Sequence, residues 1–389
     1  MRIGFNTLYE NPFRPTGSHE QNRQLVTWLS RLGREHTLVL FISRANASAF
    51  DMDGPIERVG CFTSNEHRVR RVLVEQTVLP LHLATGRCDV LVAPGNTCPI
   101  WAPCPVVLHI KTMQHTARPE AMGLARRAFR SAMIASSARR ATAIIANTDD
   151  NRDQIVRAIG VAPEKVHVVP EGLDHEHFRP PADRDRLLAD LAREGLRPPF
   201  VLFVSGLWPY KRVEVLIEAF GRMRSRGLPH RLLIVGDGME SYRRRLVAIA
   251  RDRTPAQSVS FLGARSKAEV ARLMQAADVV ALPSVYESFG RVLTEAMACG
   301  TPVVAARASC LPEVVEDAGL LFPPDDPEAL AGALEAIVTD PGLRGRLVES
   351  GLERAAGYSW ERTARETLAI VEAAAGLTRG ASEPMEVEH

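Results

Sequence analysis

Lysine is almost missing from this chain. Four lysines, Lys111, Lys165, Lys211 and Lys267, stand among 48 basic residues, and the rest are arginine. Each lysine is therefore worth locating. Long apolar runs are also missing: no stretch of about eighteen apolar residues occurs, so no transmembrane helix is expected. Excess charge of one sign is absent. The net of +2 carries no bulk attraction to nucleic acid or acidic partners. Six cysteines, Cys61, Cys88, Cys98, Cys104, Cys299 and Cys310, lack the paired spacing of a metal site. The opening "MRIGFNTLYE" lacks the apolar core of a secretion signal. Reduced thiols and a cytoplasmic setting are the expectation. There is no Walker loop, zinc-hydrolase motif or nucleophile elbow. "IVGDGMES" follows a strand-like run but lacks the third glycine of a dinucleotide fingerprint, and no glycine-rich turn follows the first strand. A dehydrogenase is not expected.

What is present is a repeating grammar. Short apolar runs ("RIGFN", "TLVLFI", "CDVLVAP", "PVVLHI", "ATAIIAN") alternate with helical patterns such as Leu25, Trp28, Leu29 and Leu32. Continuous apolar strands alternating with helices predict a parallel sheet covered on both faces. The polar, proline-flanked stretch "RPPADRDRLLADLAREGLRPP" reads as a boundary, after which the pattern restarts with "FVLFVSG", "RLLIVG", "VSFLG", "DVVALP" and "PVVAA". The expected fold is α/β, with two Rossmann-like, doubly wound parallel-sheet domains in series, 1–180 and 181–359. A helix over 360–376 and a disordered tail over 377–389 follow. Ligands in such sheets bind beyond the carboxyl ends of the strands, so two facing sheets make a cleft.

The stretch "VYESFGRVLTEAMACGTPVVAA" carries the chemistry. Strand "DVVALP" runs into a loop, and a helix starts near Arg291 and stops at Gly300. Val292, Leu293, Ala296 and Met297 fall on its core side, Arg291 and Glu295 on the other. A solvated polar face accounts for an ordinary helical glutamate. A cradle is the functional alternative. Backbone N–H groups from Ser288 through Phe289, Gly290, Arg291 and Val292 would receive a pyrophosphate at the helix mouth. Glu295 would accept two ribose hydroxyls and Glu287 the hydroxyls of a sugar, since a carboxylate suits a vicinal diol. Lys211, in "SGLWPYKRVEVLIEAF", sits at a helix start, where a cation is disfavoured unless an anion binds beside it.

The spacing of Glu287 and Glu295, the following "EAMACGTPVVAA" and "LPEVVEDAGLLFPPDDPEALAGAL", with "GDG", "FLG", "YSWERTA" and "VVPEGLDHEHF", resembles family-four retaining glycosyltransferases (glycosyltransferase group 1). The resemblance is strong in the second half and weak in the first. It implies the GT-B fold, with the final helix crossing back to the first domain. It implies transfer of a hexosyl or related sugar from a nucleotide diphosphate sugar to a small-molecule, glycan or lipid-linked acceptor hydroxyl, with retention. It matches Lys211 to the lysine that neutralises the leaving diphosphate, with Glu287 orienting the donor sugar. Relatives often carry an arginine near that lysine, where this chain has Leu207 after Gly206 and Tyr210 before Lys211, leaving Arg212 as the second cation. No metal and no cofactor beyond the donor substrate are expected.

In the first half, Gly17 matches a glycine near the donor phosphate, a plain loop glycine being the alternative. "VVLHIKTMQHTARPE" departs from the family: Lys111 and Thr112 occupy the usual His-Asp positions, with His109 and His115 nearby. His109, Lys111 and His115 are acceptor-side candidates; a histidine in an apolar strand is otherwise a satisfied core residue. This departure leaves room for a pseudo-glycosyltransferase or a sugar-nucleotide epimerase, and a non-catalytic nucleotide-sugar-binding protein is a third reading. The arginine-studded "GLARRAFRSAMIASSARRA" is read either as the solvated face of a packed helix or as a surface for peripheral contact with an anionic membrane. Base, sugar, acceptor and oligomeric state stay open.

Overall fold

The computed structural model describes residues 1–10, 17–50, 55–61, 68–117 and 123–376. The chain divides into two compact units, Met1–Pro170 together with the segment from Trp360, and Glu171–Ser359. In chain order the first unit holds β1 (Arg2–Asn6), α1 (Gly17–Leu32), β2 (Thr37–Ile42), β3 (Ile56–Gly60), α2 (Arg68–Thr85), β4 (Val90–Ala93), β5 (Val106–His109), α3 (Gln114–Ala117), α4 (Leu124–Arg140), β6 (Ala143–Ala146), α5 (Asp149–Ile159) and β7 (Val166–Val168). The second holds α6 (Arg184–Arg193), β8 (Phe200–Val204), α7 (Val213–Ser225), β9 (Arg231–Val235), α8 (Glu240–Arg253), β10 (Val259–Gly263), α9 (Lys267–Ala276), β11 (Val279–Leu282), α10 (Arg291–Ala298), β12 (Val303–Ala306), α11 (Leu311–Val315), β13 (Gly319–Phe322), α12 (Pro327–Thr339) and α13 (Pro341–Ala356). α14 (Trp360–Ala374) returns to the first unit.

Both sheets are parallel. The first runs β3-β2-β1-β4-β5-β6-β7 and the second β10-β9-β8-β11-β12-β13. β4, β5, β6, β11 and β12 are buried at every position, as strands covered by helices on both faces must be. In each sheet the strand order reverses once, between β1 and β4 and between β8 and β11. At such a reversal the loops leave in opposite directions and open a crevice at the carboxyl edge. Helix starts are set by local chemistry. Ser266 and Glu269 form a reciprocal capping box on α9, while Asp326 and Asp340, each followed by proline, cap α12 and α13.

The chain leaves the first unit at Pro170, ten residues before the expected boundary at 180. The polar proline-flanked stretch is not a linker. Asp183 caps α6, Leu191 is buried, and Arg184 donates to the carbonyls of Gln275 at 3.0 Å and Ala276 at 3.3 Å. Leu173 and Phe178, upstream of it, already belong to the second core. α14 contributes Ala364 and Val371 to the first core, and Glu372 meets His36 Nε2 at 3.0 Å. The tail expectation for 377–389 lies outside the described residues. Among the described residues no helix is long and apolar enough to cross a membrane.

Candidate active site

The reversal point of the second sheet positions the site. Lys211 lies in the loop after β8 and Glu287 in the loop after β11. β8 and β11 are paired neighbours, in register at Val201 with Val279 and Leu202 with Val280, so both loops leave the same edge side by side. Their backbones are joined where Val285 N–H donates to the Tyr210 carbonyl at 3.0 Å. Lys211 Nζ then donates to Glu287 Oε1 at 2.6 Å, with Nζ 5.1 Å from the Tyr210 ring centroid. The Glu287 carbonyl is held by the Ser309 hydroxyl at 2.7 Å and the Cys310 thiol at 3.4 Å. Both side chains are largely buried. An ion pair in such a place is poor glue, because desolvation offsets its attraction and an apolar pair would hold the loops as well. A charge kept there points to chemistry.

α10 starts four residues beyond Glu287. Its N-cap is Gly290, at φ 81°, with no side chain to cap the first turn. The positive φ demands glycine, and a Cβ there would lie 2.9 Å from the Leu311 Cδ2 methyl, which would have to shift. The first N–H groups of a helix have no intrahelical acceptor, and the dipole adds positive potential there. Phe289 serves packing through its ring, which meets Tyr358 edge-on at 5.4 Å. With the Arg291 guanidinium engaged by Glu171, what residues 289–292 offer an anion is their backbone N–H groups.

Glu295 lies one turn into α10, on the face opposite buried Leu293, Ala296 and Met297. Among the described residues its carboxylate has no hydrogen-bond partner. Burial pushes it up to about 7; Arg291 and Lys267 pull it back, and the carboxylates of Glu171 and Asp174 add to the rise. These neighbours are themselves paired. Arg291 donates to Glu171 from Nε at 2.9 Å and from Nη2 at 2.5 Å, and Lys267 donates to Asp174 at 3.0 Å. In the sequence Glu171 and Asp174 stand only as part of the junction stretch "EGLD", and the scarcity of lysine is the one signal that marks Lys267.

Arg212 turns away from Lys211. At φ 51° it ends a tight turn, and its guanidinium meets Asp325 at 2.9 Å and Glu214 at 3.7 Å. The residues predicted for the second half otherwise gather at one sheet edge.

The first unit builds a separate polar cluster at its own reversal point. Lys111 Nζ donates to Asn22 Oδ1 at 2.7 Å, and Asn22 Nδ2 donates to the Tyr9 hydroxyl and the Glu10 carboxylate. His19 Nδ1 lies 2.6 Å from Glu10, whose hydrogen bond raises the imidazole's proton affinity. Asn96, after β4, accepts the Lys111 N–H at 2.7 Å. Tyr9, Glu10, Asn22 and Asn96 were not singled out from sequence; their signal is strand order, which a sequence does not print. His109 is a satisfied core residue, 2.6 Å from Asn147 Oδ1, and burial with the nearby Lys111 charge lowers it to about 3. His115, on α3, is also buried and lowered to about 4 by burial, then by Arg130. Gly17 is the first residue of α1, not a mid-loop glycine. Among the described residues, the His, Cys, Asp and Glu side chains clustered tightly enough to share a cation are Glu35, His36 and Glu372, in the first unit and away from its reversal point.

Two family descriptions cover most of the chain: "Glycosyl transferases group 1" matches residues 191–354, and "Glycosyltransferase Family 4" matches residues 16–177. The D-inositol 3-phosphate glycosyltransferase of Actinosynnema mirum is 40% identical over 238 residues, 58% of this chain and 56% of that protein. Its counterpart from Jonesia denitrificans is 36% identical over 239 residues, 59% and 56% of the two chains. The chain thus spans little more than half the length of these curated relatives. Among solved structures, Anabaena HepE in complex with UDP and glucose superposes with a TM-score of 0.76 at 21% identity, covering 96% of this chain and all of that one. Sucrose-phosphate synthase from Thermosynechococcus elongatus gives 0.80 at 22% identity, covering 97% and 100%. At these identities the likeness is one of fold, and the fold is GT-B. With the paired Lys211 and Glu287, the open helix mouth and both family matches in place, the chain belongs to the group 1, family-four glycosyltransferases.

Proposed function

We propose that this chain transfers a sugar from a nucleotide diphosphate sugar to an acceptor hydroxyl with retention of anomeric configuration, using its own cations to stabilise the leaving group. The observation that carries the reading is the Lys211–Glu287 pair beside the uncapped start of α10. A diphosphate entering there would take the ammonium of Lys211 and the N–H groups of residues 290–292. It would release Glu287 to accept hydroxyls of the donor sugar. Glu295 would hold the ribose. The bond from the anomeric carbon to the diphosphate oxygen breaks as the acceptor oxygen bonds on the same face. The acceptor's proton passes to the departing diphosphate. Fixed donors aimed at the charge that develops contribute about 3 kcal/mol each. Arg212, engaged by Asp325 and Glu214, would join only after exchanging those partners.

The donor and acceptor follow from the relatives as starting points. A fold neighbour holds UDP and glucose, and the named relatives are D-inositol 3-phosphate glycosyltransferases. Calorimetry with UDP, GDP, ADP and dTDP, without metal, on wild type and Glu295→Ala is the direct test. One diphosphate should bind, and the substitution should weaken it. Binding of none would reduce the proposal to a likeness of fold. The sugar nucleotide of the base that binds is then offered with D-inositol 3-phosphate. A product joined to a non-sugar cyclitol donor, or an epimerised nucleotide sugar without transfer, would favour the alternative that the Lys111 and Thr112 substitution suggests. Lys111 is held by Asn22.

A further inference from the structure

The helix that returns to the first unit ends on a charge of the wrong sign. α14 carries Glu372 in its last turn and no basic residue there. Glu35 stands just beyond the end of α1 at Leu32. The C-terminal end of a helix has negative potential, so it favours a cation and disfavours a carboxylate. Here two helix ends bring two carboxylates to one imidazole. His36 Nε2 lies 3.0 Å from Glu372 Oε1 and 3.8 Å from Glu35 Oε1. Among the described residues no lysine or arginine pairs with Glu372, whose partner is His36. Arg31, in the last turn of α1, is stacked over the Trp28 ring at 5.2 Å instead.

The three side chains are spaced as a ligand set. Their ligand atoms all lie within 4.8 Å of one another. Zinc binds imidazole nitrogen and carboxylate oxygen at about 2.0–2.2 Å, which sets neighbouring ligand atoms about 3.4 Å apart on a tetrahedron. The separations of 3.0 and 3.8 Å fall on either side of that value. The ring is also fixed. His36 is buried, and a Cβ at Gly33 would lie 3.1 Å from its Cδ2 and 3.7 Å from Leu368 Cδ2, so the imidazole is packed between the turn after α1 and the returning helix. Its other nitrogen, Nδ1, faces the Met1 amine at 3.5 Å, which leaves Nε2 for the carboxylates. Glu35 is exposed, so the fourth position of a tetrahedron is open to water. One nitrogen with two oxygens suits zinc, whereas magnesium and calcium take oxygen ligands. A His36–Glu372 hydrogen bond alone would fasten α14 with or without Glu35, and an experiment can read that difference.

We propose that Glu35, His36 and Glu372 bind a zinc ion, with water as the fourth ligand, and that the ion staples α14 to the rest of the first unit. The proposal is independent of the catalytic reading. The cluster lies away from the reversal point, so zinc is read in binding and stability and not in turnover. The test is equilibrium dialysis of the chelator-stripped full chain against zinc chloride, with thermal unfolding followed in parallel by circular dichroism and magnesium chloride as the comparison. One zinc per chain is expected to bind, and Tm should rise by about 5 °C or more when free zinc exceeds Kd about a hundred-fold. Magnesium at the same concentration should do neither. Glu35→Gln leaves the His36–Glu372 bond in place and lies on the surface, so the fold should survive. It should weaken zinc binding about ten-fold or more, as loss of even a supporting partner of a ligand does. Glu372→Gln keeps an acceptor for His36 and should abolish stoichiometric binding. No zinc bound, equal binding by wild type and Glu35→Gln, or an equal rise in Tm with magnesium would each overturn the proposal. Zinc retained by the double variant Glu35→Gln/Glu372→Gln would belong to another site, such as the cysteine thiols, and would likewise reject the assignment.

Discussion

Lys211 faces Glu287 at 2.6 Å with little water around either. Lys211→Ala is expected to lower kcat by about 10²–10³-fold, the usual effect of removing one donor to developing charge. Lys211→Arg should recover part of it, since charge returns without the point geometry. Steady-state rates of the three proteins check this, and equal kcat values would remove Lys211 from the leaving-group role. Glu295 makes a pH prediction. Its carboxyl is pushed up to about 7 and must be ionised to accept ribose hydroxyls. Affinity for the nucleoside diphosphate should rise as pH rises through about 7, and Glu295→Gln should flatten the profile. Stability runs the other way. Folded Glu295 keeps its proton to a higher pH than the unfolded carboxyl, whose ordinary value is 4.5. Its contribution is complete below 4.5 and is lost as pH rises to about 7. The variant should lose less Tm than wild type across that window.

At the scale of elements, the helix mouth depends on Gly290. Alanine there would be held at a φ of 81° with its Cβ 2.9 Å from Leu311 Cδ2. The left-handed conformation alone costs about 1–2 kcal/mol. Gly290→Ala is expected to lower Tm and, by tilting the first turn of α10, to weaken diphosphate binding beyond the stability loss. Calorimetry well below the shifted Tm separates the two effects. α10 itself was readable from the chain, because its apolar residues recur at helical spacing and Gly300 stops it. α6 was misread as a boundary. Its flanking prolines dominated the pattern, while the Arg184 bonds to Gln275 and Ala276 that fasten it come from residues some ninety positions away.

For the whole molecule, retention predicts that the product keeps the anomeric configuration of the donor, which NMR of the glycoside reads directly. An inverted product would require a base on the opposite face and would reject the proposed chemistry. Leaving-group stabilisation by Lys211 and backbone predicts that EDTA leaves turnover unchanged. A chelator-sensitive rate restored by one divalent cation would show that a metal shares that task.

Local sequence determined the two doubly wound halves, because alternating apolar strands and amphipathic helices leave little choice of architecture. It also set Glu287 and Glu295 eight positions apart around one helix start, while Lys211, 76 positions before Glu287, was matched through the family resemblance. Strand order lay beyond it. The reversals at β1/β4 and β8/β11 arise from how strands remote in sequence pair, and they decide which loops share an edge. For that reason Lys211 meeting Glu287, Lys111 meeting Asn22, and the inward satisfaction of His109 by Asn147 were decided by tertiary structure.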